Sequence, residues 1–183
     1  MDVTGSRLWM VTGPRGVGKT TFCRLLAGHA CTAGWDVAGL LSPAVIEEGF
    51  KTGVLVEDLR TSEQRPLASA APHPPFDLQL GDWFFDRATL DWGNHVLETC
   101  LPCDLLIVDE LGPLELMRGA GWASALAVLR QPNYRLGLVV VRPELQESAR
   151  ARLPVAGTIP LDAPHFLEGD VQTWWERLKE TFS

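Results

Sequence analysis

The chain has 183 residues, 46% of them apolar and 21% charged, which suits one domain with an ordinary buried core. Its formal net charge is −7 and no run of Lys or Arg forms a stripe, so no nucleic-acid surface is expected. No apolar run approaches the length of a bilayer span, and the N-terminus enters a strand without the layout of a signal peptide; the expectation is a cytoplasmic protein with no membrane contact.

Leu8-Trp9-Met10-Val11-Thr12 is a short apolar run fit for a buried strand. It leads into Gly13-Pro14-Arg15-Gly16-Val17-Gly18-Lys19-Thr20, a full G-x-x-x-x-G-K-[ST] loop, followed by Thr21. Behind the loop, Phe22, Leu25, Leu26, His29 and Ala30 recur at helical spacing. Strand, glycine-rich loop and helix together are the context in which this motif cradles phosphates. Backbone N–H groups converge on one concave space, and the helix N-terminus adds partial positive charge. Lys19 would reach the β- and γ-phosphates of a nucleoside triphosphate, and the Thr20 hydroxyl would ligate Mg²⁺. Arg15 would lean toward the γ-phosphate or face solvent.

Residues 36–46 read as a strand kinked at Ser42-Pro43, Phe50 to Leu59 as a second strand, and Gln64 to Leu67 as a third after a turn at Thr61-Ser62-Glu63. The span 36–69 is therefore an antiparallel meander hung on the main sheet, within a single domain covering 1–183. Pro66 assigns its third strand to an edge. Ala68 to Pro75 reads as an ordered loop, and Asp86 after Trp83-Phe84-Phe85 as the N-cap of a helix reaching Cys100, weakened by Gly93.

Leu105-Leu106-Ile107-Val108-Asp109-Glu110 is a near-continuous apolar run ending in two acids. That is a buried parallel strand carrying functional residues at its C-terminal tip. Gly119-Ala120-Gly121 opens a helix through Leu129, Leu136 to Val141 is another buried strand, and Glu144 to Arg152 a short arginine-bearing helix. Val155 to Leu161 is a last strand, and Val171, Trp174, Trp175, Leu178 and Phe182 stripe a closing helix. Alternating strands and helices define an α/β fold with a mostly parallel sheet between two helical layers.

Asp109 at the strand tip suits Mg²⁺, directly or through water. Glu110 beside it would take a proton from an attacking water. Cys100 and Cys103 form a C-x-x-C that precedes a strand instead of opening a helix, and Cys23 and Cys31 lie on another element, so all four read as ordinary thiols. No histidine pair has ligand spacing. Trp122 follows a glycine-rich turn and reads as packing ahead of base stacking.

GPRGVGKTT at 13–21 combined with VDELGPLEL at 108–116 resembles the small nucleoside-triphosphatase family first described from thermophiles, which has a human cancer-related member. The resemblance extends over nearly the whole chain. It implies a RecA-like P-loop fold, Mg²⁺-dependent hydrolysis of several nucleoside triphosphates, ATP and GTP among them, and slow turnover. It matches Glu115 to a family acid that would orient Glu110 or a basic side chain. It also implies a small polar residue at the end of the strand after the acidic one, where Arg142 stands instead. By analogy with P-loop proteins that carry a catalytic acid after the metal-side Asp, Leu136–Val141 should separate Leu8–Thr12 from Leu105–Asp109. Arg150 and Arg152 would supply transition-state charge or lie on a solvated helix face. No Asn-Lys-x-Asp guanine signature follows Asn94 or Asn133, so weak base discrimination is expected. A small metabolite kinase and a nucleotide-dependent switch are the alternatives, and no protein partner is identifiable.

Overall fold

Apolar runs and helical repeats alternate along this chain, and they fold accordingly in a computed structural model that describes residues 7–162 and 168–181. In chain order the elements are β1 (Leu8–Thr12), α1 (Lys19–Thr32), β2 (Val37–Leu41), β3 (Ala44–Glu47), β4 (Phe50–Asp58), β5 (Gln64–Ser69), β6 (Leu78–Leu80), β7 (Trp83–Phe85) and α2 (Arg87–Thr99). Then come β8 (Cys103–Leu111), a π-helical turn at Leu114–Arg118, α3 (Ala125–Leu129), β9 (Tyr134–Val141), a 3₁₀ turn at Pro143–Leu145, α4 (Gln146–Arg150), β10 (Val155–Pro160) and α5 (Glu168–Thr181). His165 and Phe182 lie outside the described residues.

One ten-stranded sheet runs β10-β1-β9-β8-β2-β4-β5-β7-β6, with β3 paired to β4. The pairs from β10 to β2 are all parallel, and those beyond β2 are antiparallel. Strand β9 separates β1 from β8, as expected. Val139 pairs with Met10 on one side and with Val108 on the other. The phosphate-loop strand and the acidic strand therefore end at one level, two strand spacings or about 10 Å apart.

Both faces of the parallel half are covered, which is why its strands are apolar without alternation. Leu106 and Val108 of β8 face a core shared with Leu97, Leu116, Trp122 and Val128. Leu105 and Ile107 face the opposite core, with Phe22 and Leu26 of α1 and Val171, Trp175 and Leu178 of α5. Two helical layers thus sandwich the sheet. Arg24 of α1 holds the buried Glu57 of β4 through two bonds of 3.1 and 2.8 Å, which ties the antiparallel half to the phosphate-binding helix.

Several expectations need correction. The strand expected over 36–46 breaks at Ser42-Pro43 into β2, which is parallel to β8, and β3, which pairs with β4. The antiparallel part starts where β2 itself pairs with β4 through Leu40 and Leu41, and it continues past residue 69 through β7 and β6. β5 is no sheet edge, because Ala68 and Ser69 pair with Phe85 and Phe84; Pro66 lies outside that pairing. The hairpin β6–β7 turns through Gly81-Asp82, a two-residue loop of the kind such hairpins use.

The helix expected from Gly121 begins only at Ala125. Gly119 and Gly121 take φ values of 62° and 68°, a left-handed backbone that no α-helix contains. Trp122 N–H donates to Glu115, Ser124 N–H to Asn94 Oδ1, and Asn94 Nδ2 donates to the Gly121 carbonyl. The segment expected as a helix from Glu144 splits into a 3₁₀ turn begun by Pro143 and the five-residue α4.

Gly93 is a packing position instead of a weakness in α2. A Cβ there would lie 2.4 Å from the buried ring of Trp122. Gly93→Ala gains about 1 kcal/mol of helix propensity but overpacks the core by about 1–3 kcal/mol. Urea denaturation should show a net loss of stability that Trp122→Phe partly restores; a stabilised Gly93→Ala protein would contradict this packing account.

Candidate functional site

The loop 13–20 crosses from the tip of β1 into α1, with Pro14, Arg15 and Gly16 exposed and Val17 buried. Val17 anchors the loop by packing in the α1-side core, and its N–H donates to the Pro14 carbonyl at 3.3 Å. Gly18 precedes α1 with φ at 98°, a left-handed conformation that a Cβ would strain. No side chain caps the N-terminus of α1, so its first N–H groups remain directed at the hollow of the loop. The Lys19 ammonium, in a residue only 7% exposed, donates to the carbonyls of Gly13 and Pro14 at 2.8 and 2.9 Å. Burial draws its pKa down, opposed by Glu110 and Asp109. Thr21 points outward on the first turn.

Asp109 sits at the tip of β8, only 2% exposed. Here the β8–β9 ladder shifts register, between Val108 and Leu111. The Thr20 hydroxyl donates to the Asp109 carboxylate, and Ser42 N–H donates to its Oδ2 at 3.1 Å. The Ser42 hydroxyl in turn donates to the Asp109 carbonyl. Burial pushes the carboxyl up to about 6, helped by Glu110 and opposed by the Thr20 and Ser42 hydrogen bonds and by Lys19. A hydroxyl and a buried carboxylate, both hard oxygen donors, suit Mg²⁺, which leaves its other positions to water and phosphate. A cation there would also relieve the cost of the buried charge. Among the described residues no group of three or more His, Cys, Asp or Glu could hold a metal, and Mg²⁺ in such a site needs none.

Glu110 is half-buried and takes a 2.6 Å ion pair from Arg142 Nε. Arg142 is the first residue after β9, so it stands between the phosphate loop and the acidic tip. Lys51 of β4 also belongs to this neighbourhood. It is exposed on the strand, its pKa is lowered by partial desolvation, and Glu110, Arg142, Arg15 and Asp109 act on it electrostatically. Its ammonium lies 5.0 Å from the centre of the Trp83 ring.

Glu115 does not orient Glu110 or a basic side chain through any bond the structure displays. Its carboxylate accepts the backbone N–H groups of Gly112 at 2.8 Å and Trp122 at 3.0 Å, bracing the segment that follows β8. A Cβ on Gly121 would lie 2.0 Å from that carboxylate, so the turn there requires glycine. Arg150 is engaged by the Thr158 hydroxyl on β10, and Arg152 is exposed beyond α4 with its carbonyl bonded by Arg130. The four cysteines are free thiols, and burial raises Cys23, Cys100 and Cys103. Buried thiols of this kind are poor nucleophiles. Trp122 is buried against Gly93, which is the packing role expected.

Sequence reasoning missed Ser42 and Lys51. Ser42-Pro43 was legible only as a kink, and nothing in the pattern around Lys51 marks it. Both reach the site through strand pairing: β2 with β8, and β4 with β3 beyond the end of β2.

Residues 9–153 match a protein family described as NTPase. A curated relative, the nucleoside-triphosphatase THEP1 of Methanosarcina acetivorans, is 31% identical over 109 residues, which are 58% of this chain and 61% of that protein. The chain thus spans about three fifths of that relative's length. The counterpart from Methanosarcina barkeri is 29% identical over 67% of this chain and 70% of its own length. In fold, the chain is similar to the solution structure of a human cancer-related nucleoside triphosphatase, at TM-score 0.65 and 21% identity over 95% of this chain and 96% of that one. It is also similar to the crystal structure of THEP1 from Aquifex aeolicus, at TM-score 0.63 and 17% identity over 94% and 99%.

The buried Asp109 gives a prediction about pH. Its folded pKa of about 6 lies above the unfolded value near 3.9. At pH 8 the folded chain bears the cost of an ionised buried carboxylate, and that cost disappears as pH falls through the window from about 6 to 4. Asp109→Asn should therefore stabilise the nucleotide-free protein at pH 8 by on the order of 2 kcal/mol. The advantage should shrink below pH 6 in urea titrations at pH 8, 6.5 and 5. A variant destabilised at pH 8, or an advantage independent of pH, would contradict the assignment.

Proposed function

The chain belongs to the NTPase family, and on that premise we propose that it hydrolyses nucleoside 5′-triphosphates to diphosphate and phosphate. The observation that carries this reading is the placement of Glu110. A carboxylate stands one residue past the buried Asp109, at the level where β1 delivers the phosphate loop, with β9 between them. Triphosphate oxygens held by the loop N–H groups and Lys19 would extend across the end of β9 toward that carboxylate. There Glu110 accepts a proton from water as the water oxygen attacks the γ-phosphorus and the bond to the β-phosphate oxygen breaks. Thr20 and Asp109 are the residues that would hold Mg²⁺, which when bound neutralises charge on the β- and γ-phosphates. Low base specificity belongs to the reading, because no guanine-reading pattern follows Asn94 or Asn133. So do slow turnover, implied by the family resemblance, and a cytoplasmic setting, where the four thiols stay reduced.

Purified protein with Mg²⁺ and no added acceptor should release equal amounts of diphosphate and phosphate from ATP, GTP, CTP and UTP. Rates for ATP and GTP should differ by less than about tenfold. Glu110→Gln should bind triphosphate and turn over about a hundredfold more slowly. Lys19→Ala should lose binding in calorimetric titration. Phosphate release that begins only when a small-molecule acceptor is added would replace this reading with a kinase.

A further inference from the structure

Any triphosphate that reaches from the loop after β1 to Glu110 at the tip of β8 must cross the end of β9, because β9 lies between those strands. Arg142 is the residue at that crossing, and its Nε is bonded to Glu110 Oε1 at 2.6 Å. The carboxylate placed to activate water is thus already engaged by a cation. The pair is about a quarter exposed on each side, so neither partner is locked in the core. Lys19 and Lys51 both interact electrostatically with Glu110 and with Arg142. The pair therefore stands among cations that attract phosphate and repel the guanidinium. A planar guanidinium serves carboxylate and phosphate oxygens with the same donors, so the two anions compete for it.

We propose that Arg142 and Glu110 form a latch opened by the terminal phosphate. The γ-phosphate draws the Arg142 guanidinium off Glu110 and leaves the carboxylate to take the proton of the attacking water. A diphosphate does not extend to the end of β9 and leaves the pair closed. Arg142 is then a positioning residue that makes water activation conditional on a triphosphate. The proposal deepens the hydrolase reading above and rests on it for the role of Glu110.

The latch makes a binding prediction that needs no turnover. Removing the charge of Glu110 releases Arg142 in advance, so loss of the catalytic acid should tighten triphosphate binding. Calorimetry with Mg²⁺ and either a non-hydrolysable ATP analogue or ADP would compare wild type, E110Q, R142Q and the double variant. E110Q should bind the analogue about tenfold tighter, an ordinary size for coupling between sites, with ADP within about twofold of wild type. R142Q should weaken the analogue and leave ADP unchanged. On the R142Q background, E110Q should shift the analogue by less than about twofold. R142K, which keeps the charge, should recover part of the lost affinity and covers the case in which R142Q fails to fold. The latch is overturned if E110Q tightens ADP as much as the analogue. It is also overturned if the tightening survives intact in the R142Q background, since relief of general repulsion would then suffice. Phosphate release by wild type without an acceptor is scored separately: its absence refutes the hydrolase reading, while the binding comparison still decides whether the pair is a latch.

Discussion

A single carboxylate buried at the end of β8 governs the arrangement of the site. Asp109 is almost wholly sealed from water, and burial lifts its pKa to about 6 despite bonds from Thr20 and Ser42. Ionised buried carboxylates are costly unless something of opposite charge completes them. Here the completing elements come from two directions: the first turn of α1, through Thr20 and the Lys19 ammonium, and the end of β2, through Ser42. The fold accepts a destabilising charge where a divalent cation and phosphates would offset it, in keeping with strained or costly features gathering at functional positions.

Strand order converts that charge into a working geometry. With β9 between β1 and β8, the phosphate loop and the acidic tip are held about 10 Å apart, wider than a neighbouring pair of strands allows. The gap is bridged from the loop side by Thr20 and occupied at its middle by Arg142. Cores on both faces hold the three strands rigidly in register, with α1 and α5 on one side and α2 and α3 on the other. The Arg24–Glu57 pair then fixes β4 against α1. Through β4 and β3 the antiparallel half brings Lys51 into the electrostatic field of the site.

Much of this was legible in the chain because the relevant signals are local. The phosphate loop is contiguous, its strand and helix flank it, and β8 announces itself by apolar residues that stop at two acids. The Asp86 cap was equally local, and the structure bears it out with a 3.0 Å bond from Ala88 N–H. Features made by partners distant in sequence were not legible. The Arg142–Glu110 pair joins residues 32 apart, and Ser42 meets Asp109 across 67 positions. Glu115 reads as a candidate for chemistry because it is an acid near acids. Its work is to hold two backbone N–H groups, which only the three-dimensional path of the segment to Trp122 reveals. Gly93 likewise reads as a weak helix residue until the Trp122 ring is found against it.

On the proposed reading the site directs water at the γ-phosphorus of a nucleoside triphosphate. Turnover of ATP in ¹⁸O-enriched water, with both products examined by mass spectrometry, tests it most directly. One solvent oxygen should appear in the released phosphate and none in the diphosphate, with labelled phosphate largely lost in Glu110→Gln. Solvent oxygen in the diphosphate would place the attack at the wrong phosphorus, and undiminished labelled phosphate from Glu110→Gln would remove Glu110 from the chemistry.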